Sequence, residues 1–372
     1  MKGNTDMKKT RIGFVGVGCI SGIYLHNITH LYKELEIAGV CDLIREKAEN
    51  ASREYGVRVY KDMYELFADP SVDIVLNITR PNDHYEVTKA ALEAGKHVYS
   101  EKPLATEFDK GVELVKLAKE RGLMLGGAPD TFMGAGLQTS RKLIDEGFIG
   151  TPTSFHAHML GRGPESWHPD PEFFYKPGGG PMMDMGPYYV TALVNMLGRA
   201  DKVAGLTTTP SEKRIFTCKE HFGETTKVET PTTIAGLIHF ESGVIGTIQT
   251  SFDTTHRAGC ALEIFGTEGT LYCPDPNTFG GDVVLHRRGE EPKVIPLCFN
   301  YKENSRAAGL ADMAKAIETG KSMRAGCQQT LHVLEIMTSI IRCGDKGEFR
   351  DITSPYTRPE PMKWTELEGI IE

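Results

Sequence analysis

The segment Gly16-Val17-Gly18-Cys19-Ile20-Ser21-Gly22 follows an apolar run at Arg11–Val15 and opens a helical pattern. A turn of this kind can hold a phosphate. In a GxGxxS bend between strand and helix, Gly16 makes the tight turn, Gly18 lets a pyrophosphate approach the backbone, and small Ser21 lets helix pack on strand. Cys19 and Ile20 complete the stretch expected to touch the cofactor. A glycine-rich bend alone can also hold nothing, so its surroundings decide. A second apolar run, Glu36–Cys41, ends at Asp42, near the spacing at which an acidic side chain reaches an adenosine ribose. A carboxylate there accepts from both ribose hydroxyls and repels a 2′-phosphate, so NAD is expected and NADP is less favoured. Arg45 reads as part of a solvated helix face.

Two further segments lie where such sheets bind ligands, beyond the carboxyl ends of strands. Asp73–Ile78 gives way to Thr79-Arg80-Pro81-Asn82-Asp83-His84, and His97–Tyr99 runs into Ser100-Glu101-Lys102-Pro103. Thr79, Pro81, His84, Glu101 and Lys102 are therefore candidates for the nicotinamide side. Lys102 leaves a buried strand end and precedes Pro103, which fixes its backbone, so its ammonium is expected to point into the cleft. His84 is expected to begin a helix beneath the nicotinamide and not to bind an ion.

The elements that must position these groups alternate. Strand-like runs at Arg11–Val15, Glu36–Cys41, Asp73–Ile78, His97–Tyr99 and Leu123–Leu125 are separated by amphipathic patterns at Ile44–Tyr55, Met63–Phe67, His84–Ala94 and Phe108–Arg121. Gly56, Gly95 and Gly122 stand where left-handed C-caps are needed. This predicts an α/β fold, an N-terminal doubly wound parallel sheet of Rossmann type. After Gly126 the pattern changes to a helix near Leu137–Glu146, a strand at Thr153–Met159 and a long loop. Antiparallel strands follow at Lys202–Thr208, Thr232–Phe240, Val244–Phe252, Ala261–Phe265, Thr270–Tyr272 and Val283–His286, with Glu241-Ser242-Gly243 as a hairpin turn. Helices near Ser305–Thr319 and Gln328–Cys343 close a C-terminal α+β domain built on a large open sheet, and Pro355–Pro361 reads as an extended strap. The 372 residues exceed one ordinary core. The expected division is a dinucleotide-binding domain over 7–127, a substrate and oligomerisation domain over 128–350 and a tail over 351–372, with Met7 as a natural start after a loose leader.

Composition excludes several classes. A net charge of −8 gives no field for nucleic acid or anionic lipid. No run suits a signal peptide or a membrane span. Eight scattered cysteines without a CxxC pair suit reduced thiols in the cytoplasm. His156-x-His158 offers two ligands on one strand face without a third, so no metal is expected.

Gly16-x-Gly18, Asp42, Thr79-x-Pro81-x-x-His84, Ala94-Gly95-Lys96-His97-Val98, Glu101-Lys102-Pro103 and Gly266-Thr267-Glu268-Gly269-Thr270 together resemble the Gfo/Idh/MocA oxidoreductases, the group of glucose-fructose oxidoreductase and inositol dehydrogenase. The resemblance implies that Lys102 is catalytic. It also implies an Asp and a His that join the lysine around the substrate, in a glycine-rich Asp-x-Gly-x-His stretch. Here Gly178-Gly179-Gly180-Pro181-Met182-Met183-Asp184-Met185-Gly186-Pro187-Tyr188 matches at Asp184 and Gly186 and departs at Tyr188, a position where some members carry tyrosine. The open sheet face is implied to form a homodimer or homotetramer contact.

If Asp184 opens a helix running to Leu197, Asp184 and Tyr188 share one face, and a nearby ammonium would lower the tyrosine pKa. The expected chemistry is transfer of a hydride between a nicotinamide and a secondary alcohol of a sugar, cyclitol or related polyol. Tyr188 takes the hydroxyl proton, Lys102 holds the oxygen and Asp184 orients the group. Trp167 and His168, in the loop before the glycines, are expected substrate contacts. Two other readings stay open: a glycoside hydrolase or lyase that cycles NAD, and a dinucleotide-binding sensor without chemistry.

Overall fold

The computed structural model describes residues 9–255, 261–365 and 368–372. The expectations for the leader and Met7, and the thiol of Cys260, lie outside the described residues. The first part runs β1 (Thr10–Val15), α1 (Ser21–His30), β2 (Leu35–Cys41), α2 (Arg45–Tyr55), α3 (Met63–Ala68), β3 (Ile74–Asn77), α4 (His84–Glu93), β4 (His97–Ser100), α5 (Phe108–Arg121) and β5 (Leu125–Gly127). The five strands are parallel in the order β2-β1-β3-β4-β5. Ile12, Phe14, Val75, Leu76 and Val98 are fully buried, because helices cover both faces and leave a central strand no solvent side. α5 shows how these helices cover the sheet: Leu114 and Ala118 point inward, and Glu113, Lys116, Lys119 and Glu120 around them face water. Gly122 ends it at φ +66°, a conformation that other L residues rarely adopt.

The second part runs α6 (Ala135–Asp145), β6 (Pro152–Leu160), α7 (Pro181–Asp184), α8 (Gly186–Leu197), β7 (Ala200–Thr208), β8 (Lys213–Ile215), β9 (Thr225–Lys227), β10 (Thr233–Phe240), β11 (Ile245–Ser251), β12 (Leu262–Gly266), β13 (Gly269–Cys273), β14 (Val283–Arg287), β15 (Lys293–Ile295), α9 (Ala308–Thr319), α10 (Cys327–Lys346) and β16 (Arg350–Asp351). Nine strands form one sheet in the order β15-β14-β13-β12-β6-β11-β10-β7-β16. Every pairing in it is antiparallel except β6 with β11, so this is the large, mostly antiparallel open sheet expected, with one parallel pair in it. β10 alternates buried and exposed along its length. One face of the sheet meets α8 and α10, and the other carries exposed Leu206, Leu237 and Ile245. Every residue of α8 is buried, which is why that helix is apolar all round.

The chain past α8 returns to the first part. Gly326 bridges to Gly126 at the edge of β5, Tyr301 stacks on Tyr32 at 6.0 Å, and the Ile371 N–H donates to Glu34 at 3.1 Å. The strap is extended as expected. Its Arg358 makes a two-point contact with Asp145 at 2.7 and 2.8 Å, and its Tyr356 stacks on His332 at 5.1 Å. The short strands β8, β9, β15 and β16 have no counterpart in the sequence reading.

Candidate active site

The glycine turn is built for close approach. Gly16 has φ +96° and donates to the Cys41 carbonyl at 2.9 Å. A Cβ there would stand 2.6 Å from the Ile78 carbonyl oxygen, so only glycine fits. A Cβ on Gly18 would meet nothing within 4 Å: that backbone faces open space, where a pyrophosphate can come close. Buried Ser21 begins α1 and its hydroxyl donates to the Gly18 carbonyl at 2.7 Å, which folds the turn over the helix start. Cys19 is exposed and Ile20 half-buried just before that helix start, the end of a helix that favours an anion.

Asp42 does more than the spacing argument assigned to it. Its carboxylate accepts from Val17 N–H and from Ile44 N–H, both at 2.7 Å, so it pins the glycine turn to the end of β2. A carboxylate offers about four acceptor sites, and those remaining suit two ribose hydroxyls. Exposed Leu43 and Ile44 follow it, an apolar ledge suited to an adenine ring that the sequence reading did not single out; two apolar residues directly after a strand-end acid were the available signal. Arg45 pairs with Glu49 at 2.7 Å, as a solvated helix face should.

The strand-end segments are tied to each other. His84 begins α4 and is buried, with Nδ1 2.7 Å from the Pro103 carbonyl oxygen and Nε2 3.1 Å from that of Thr79. Burial pushes its pKa down although both carbonyls favour the charged ring. With both nitrogens engaged, His84 clamps the two loops and does not reach into the cleft. The Thr79 hydroxyl donates to Asn77 at 2.7 Å, and half-buried Pro81 faces the cleft shared with Lys102. Glu101 is buried, accepting from the Tyr24 hydroxyl at 2.8 Å and from the Lys102 N–H at 3.0 Å.

Lys102 is turned inward. Its ammonium donates to the Asp184 carbonyl at 2.6 Å and to the Asp184 carboxylate at 2.8 Å, and lies 5.2 Å from the centre of the Tyr188 ring. Burial alone would lower its pKa, but the Asp184, Tyr188 and Glu101 oxygens outweigh that and raise it. Lys102 is therefore a fixed cation. The three catalytic candidates thus come together, though not by the helix expected for them. Asp184 ends α7, and α8 starts at Gly186. Pro187 has no N–H to offer the Met183 carbonyl, so one continuous helix cannot form.

The expected lowering of the Tyr188 pKa is reversed. Burial pushes the phenol above its ordinary value, Lys102 opposes this only in part, and Glu101 adds to the rise. Arg306, another group outside the sequence reading, also faces the phenol and pulls its pKa down. Its guanidinium is held by Asn277 and Asn304, each at 2.8 Å. At neutral pH Tyr188 is consequently a proton donor beside a cation.

Trp167 and His168 pack against Phe174, a residue that borders the cleft. The indole is 65% exposed, leaning on His168 and Phe174. His168 Nδ1 accepts the Asp170 N–H at 3.0 Å, which leaves the proton of a neutral ring on Nε2. Burial holds its pKa down, so the ring is neutral at pH 7. Phe173 and Phe174 border one small cleft with Pro81, Lys102 and Asp184. Arg80 and Asp170 form an exposed ion pair. His156 and His158 share a face with ring centres 5.1 Å apart, and no metal-ligand cluster occurs among the described residues.

Known proteins resemble this chain in sequence and fold. A family model described as an oxidoreductase family with an NAD-binding Rossmann fold matches residues 10–127, and one described as a GFO/IDH/MocA C-terminal domain matches residues 137–272. The 1,5-anhydro-D-fructose reductase of Ensifer adhaerens is 31% identical over 85% of this chain and 91% of its own length. The inositol 2-dehydrogenase/D-chiro-inositol 3-dehydrogenase of Lactiplantibacillus plantarum is 33% identical, over 38% of this chain; the match spans 42% of that relative's length. The crystal structure of an NAD binding oxidoreductase from Klebsiella pneumoniae superposes with a TM-score of 0.80 at 22% identity, over 93% of this chain and all of that one. With both of its parts matched, the chain belongs to the Gfo/Idh/MocA oxidoreductase family.

Proposed function

We propose that this protein is an NAD-dependent dehydrogenase or reductase acting on a secondary alcohol, or the matching ketone, of a sugar, cyclitol or close derivative. One observation carries the reading: a half-buried, positively charged lysine just past the carboxyl end of β4 is paired with Asp184 and faces the protonated Tyr188 phenol. Gly16, Gly18, Ser21 and Asp42 fit a dinucleotide, with Thr79, Pro81 and Glu101 bordering its nicotinamide end and His84 behind them. NAD, when bound, supplies the hydride acceptor or, reduced, the donor.

Lys102 holds the substrate oxygen and stabilises negative charge on it. Tyr188 gives that oxygen its proton in reduction and takes it back in oxidation. Asp184 fixes the ammonium, and Trp167 and His168 present a ring face and an N–H to the remaining hydroxyls. Because the phenol is held protonated, the residues favour the reductive direction at neutral pH. The printed activities of the relatives, on inositols and on 1,5-anhydro-D-fructose, support the substrate class.

The division proposed is 7–127, 128–350 and 351–372; the change from the parallel to the mixed sheet after β5 supports the first boundary, while β16 straddles the second. Exposed Leu206, Leu237 and Ile245 on the open sheet face suit a second copy, as a homodimer or homotetramer. Exposed free thiols at Cys19 and Cys298 suit a cytoplasmic setting, and no helix among the described residues is long and apolar enough to cross a membrane. Following NADH absorbance with ketoses, cyclitols and aldoses, in both directions and with NADP(H) alongside, tests the activity. Turnover of at least one polyol or ketose pair is expected, and cofactor binding without turnover of any would refute it.

A further inference from the structure

β8 and β9 leave the main sheet between β7 and β10 and pair only with each other. Beneath this arm lies an apolar cluster separate from the main core, formed by Phe216, Cys218 and Val228 of the arm with Phe174, Tyr175 and Phe252. Arg214 of β8 crosses the cluster. Its guanidinium lies 5.5 Å from the Tyr175 ring centre and pairs with Glu165 at 3.4 Å and, more closely, with Asp253. The three side chains are only 15–18% exposed. Asp253 is held in turn by the hydroxyls of Thr232 at 2.8 Å and Thr233 at 2.6 Å. The Glu165 carbonyl accepts from the Thr217 and Cys218 amides at 2.9 and 2.7 Å.

Glu165 stands two residues before Trp167, in a chain stretch that belongs to no sheet. The indole, 65% exposed, buries too little surface to fix itself. One arginine between two carboxylates in a poorly hydrated place is a strong constraint, since its removal leaves two like charges unpaired. We propose that Arg214 is a positioning residue for substrate recognition: by holding Glu165 against Asp253 it sets the Trp167–His168 wall of the cleft, making the β8–β9 arm a specificity element. This inference rests on the activity proposed above, and its test separates the two.

The chain has two tryptophans, so Trp364→Phe leaves Trp167 as the sole indole and its anisotropy decay reads the wall directly. In that background, Arg214→Met should add a fast component to the decay, and Glu165→Gln, which keeps the size and one acceptor, a smaller one. With a turned-over polyol or ketose, Arg214→Met should raise KM about tenfold or more while kcat and NADH affinity stay within about twofold. Combined with Trp167→Ala it should add little, because both act through one wall. An unchanged anisotropy decay, a loss of kcat at constant KM, or full additivity with Trp167→Ala would each overturn the proposal. If Arg214→Met does not fold, Glu165→Gln carries the same readouts. If the wild type turns over no substrate, the activity reading fails, and the anisotropy still decides the role of Arg214.

Discussion

The backbone carbonyl of Asp184, at 2.6 Å, is a closer partner of the Lys102 ammonium than the Asp184 carboxylate, at 2.8 Å. The lysine is thus oriented by the end of α7 as well as by a charge, and the two contributions can be separated. Asp184→Asn keeps the carbonyl and should leave the ammonium in place, whereas Lys102→Met removes the charge. Lys102→Met should lower kcat by about 10²–10³-fold, as loss of an oxyanion donor does. Asp184→Asn should cost less, and NADH affinity, read by fluorescence titration, should hold in both.

Tyr188 yields a prediction in pH. Its pKa lies above the ordinary tyrosine value because burial outweighs the Lys102 and Arg306 cations, so the donor form persists through neutrality and the acceptor form arises only in alkali. Oxidative kcat should climb with pH above neutrality while reductive kcat holds and then falls. Tyr188→Phe should abolish both slopes and cost about 10²–10⁴-fold in turnover. A pH–rate profile of each enzyme in each direction checks this.

Asp42 joins a cofactor role to a structural one. Because it accepts two backbone N–H bonds, Asp42→Ala should lower the melting temperature without any cofactor, by an amount matching about 1–3 kcal/mol per lost charged bond. NAD affinity should fall as well. Use of NADP should not simply replace it, since the glycine turn itself loosens. Thermal melts with and without each dinucleotide separate the effects.

Asp130 should govern stability in mild acid. It is buried and accepts from the Ala307 and Gly309 amides at 3.0 and 3.1 Å, and burial raises its pKa from 3.8 to about 6. The folded state therefore binds this proton more tightly than the unfolded chain. Its contribution is fully present below about pH 4, is lost as pH rises to about 6, and is constant above that. The stability of the wild type relative to Asp130→Asn should fall from pH 4.5 to 6.5 and then level off, measurable by denaturant midpoints.

What the sequence made legible follows the range of the interactions involved. The parallel sheet, the glycine turn and the inward lysine depend on local periodicity and on what a strand end must expose. Those features appear where expected, with α5 over Phe108–Arg121 as read. The break between Asp184 and Gly186 was visible in principle, since Pro187 cannot donate. The four-residue spacing of Asp184 and Tyr188 suits a continuous helix equally well and so carries no sign of the break. Arg306 could not be found that way. It lies more than a hundred residues from Tyr188 and reaches the phenol only because the chain after β15 turns back towards α1. The direction of the Tyr188 pKa likewise depends on how much water the fold removes, which residue types and spacing do not encode. The Arg214 anchor belongs to the same class, joining three chain segments far apart in sequence.

The most direct test of the central claim uses NADH deuterated at the transferable position of the nicotinamide. The enzyme is incubated at neutral pH with the ketose and inosose panel, and products are analysed by mass spectrometry. The account predicts deuterium on one carbinol carbon of a product with the wild type, and at least a hundredfold less with Lys102→Met at equal NADH occupancy. Deuterium transfer by Lys102→Met at the wild-type rate would contradict it.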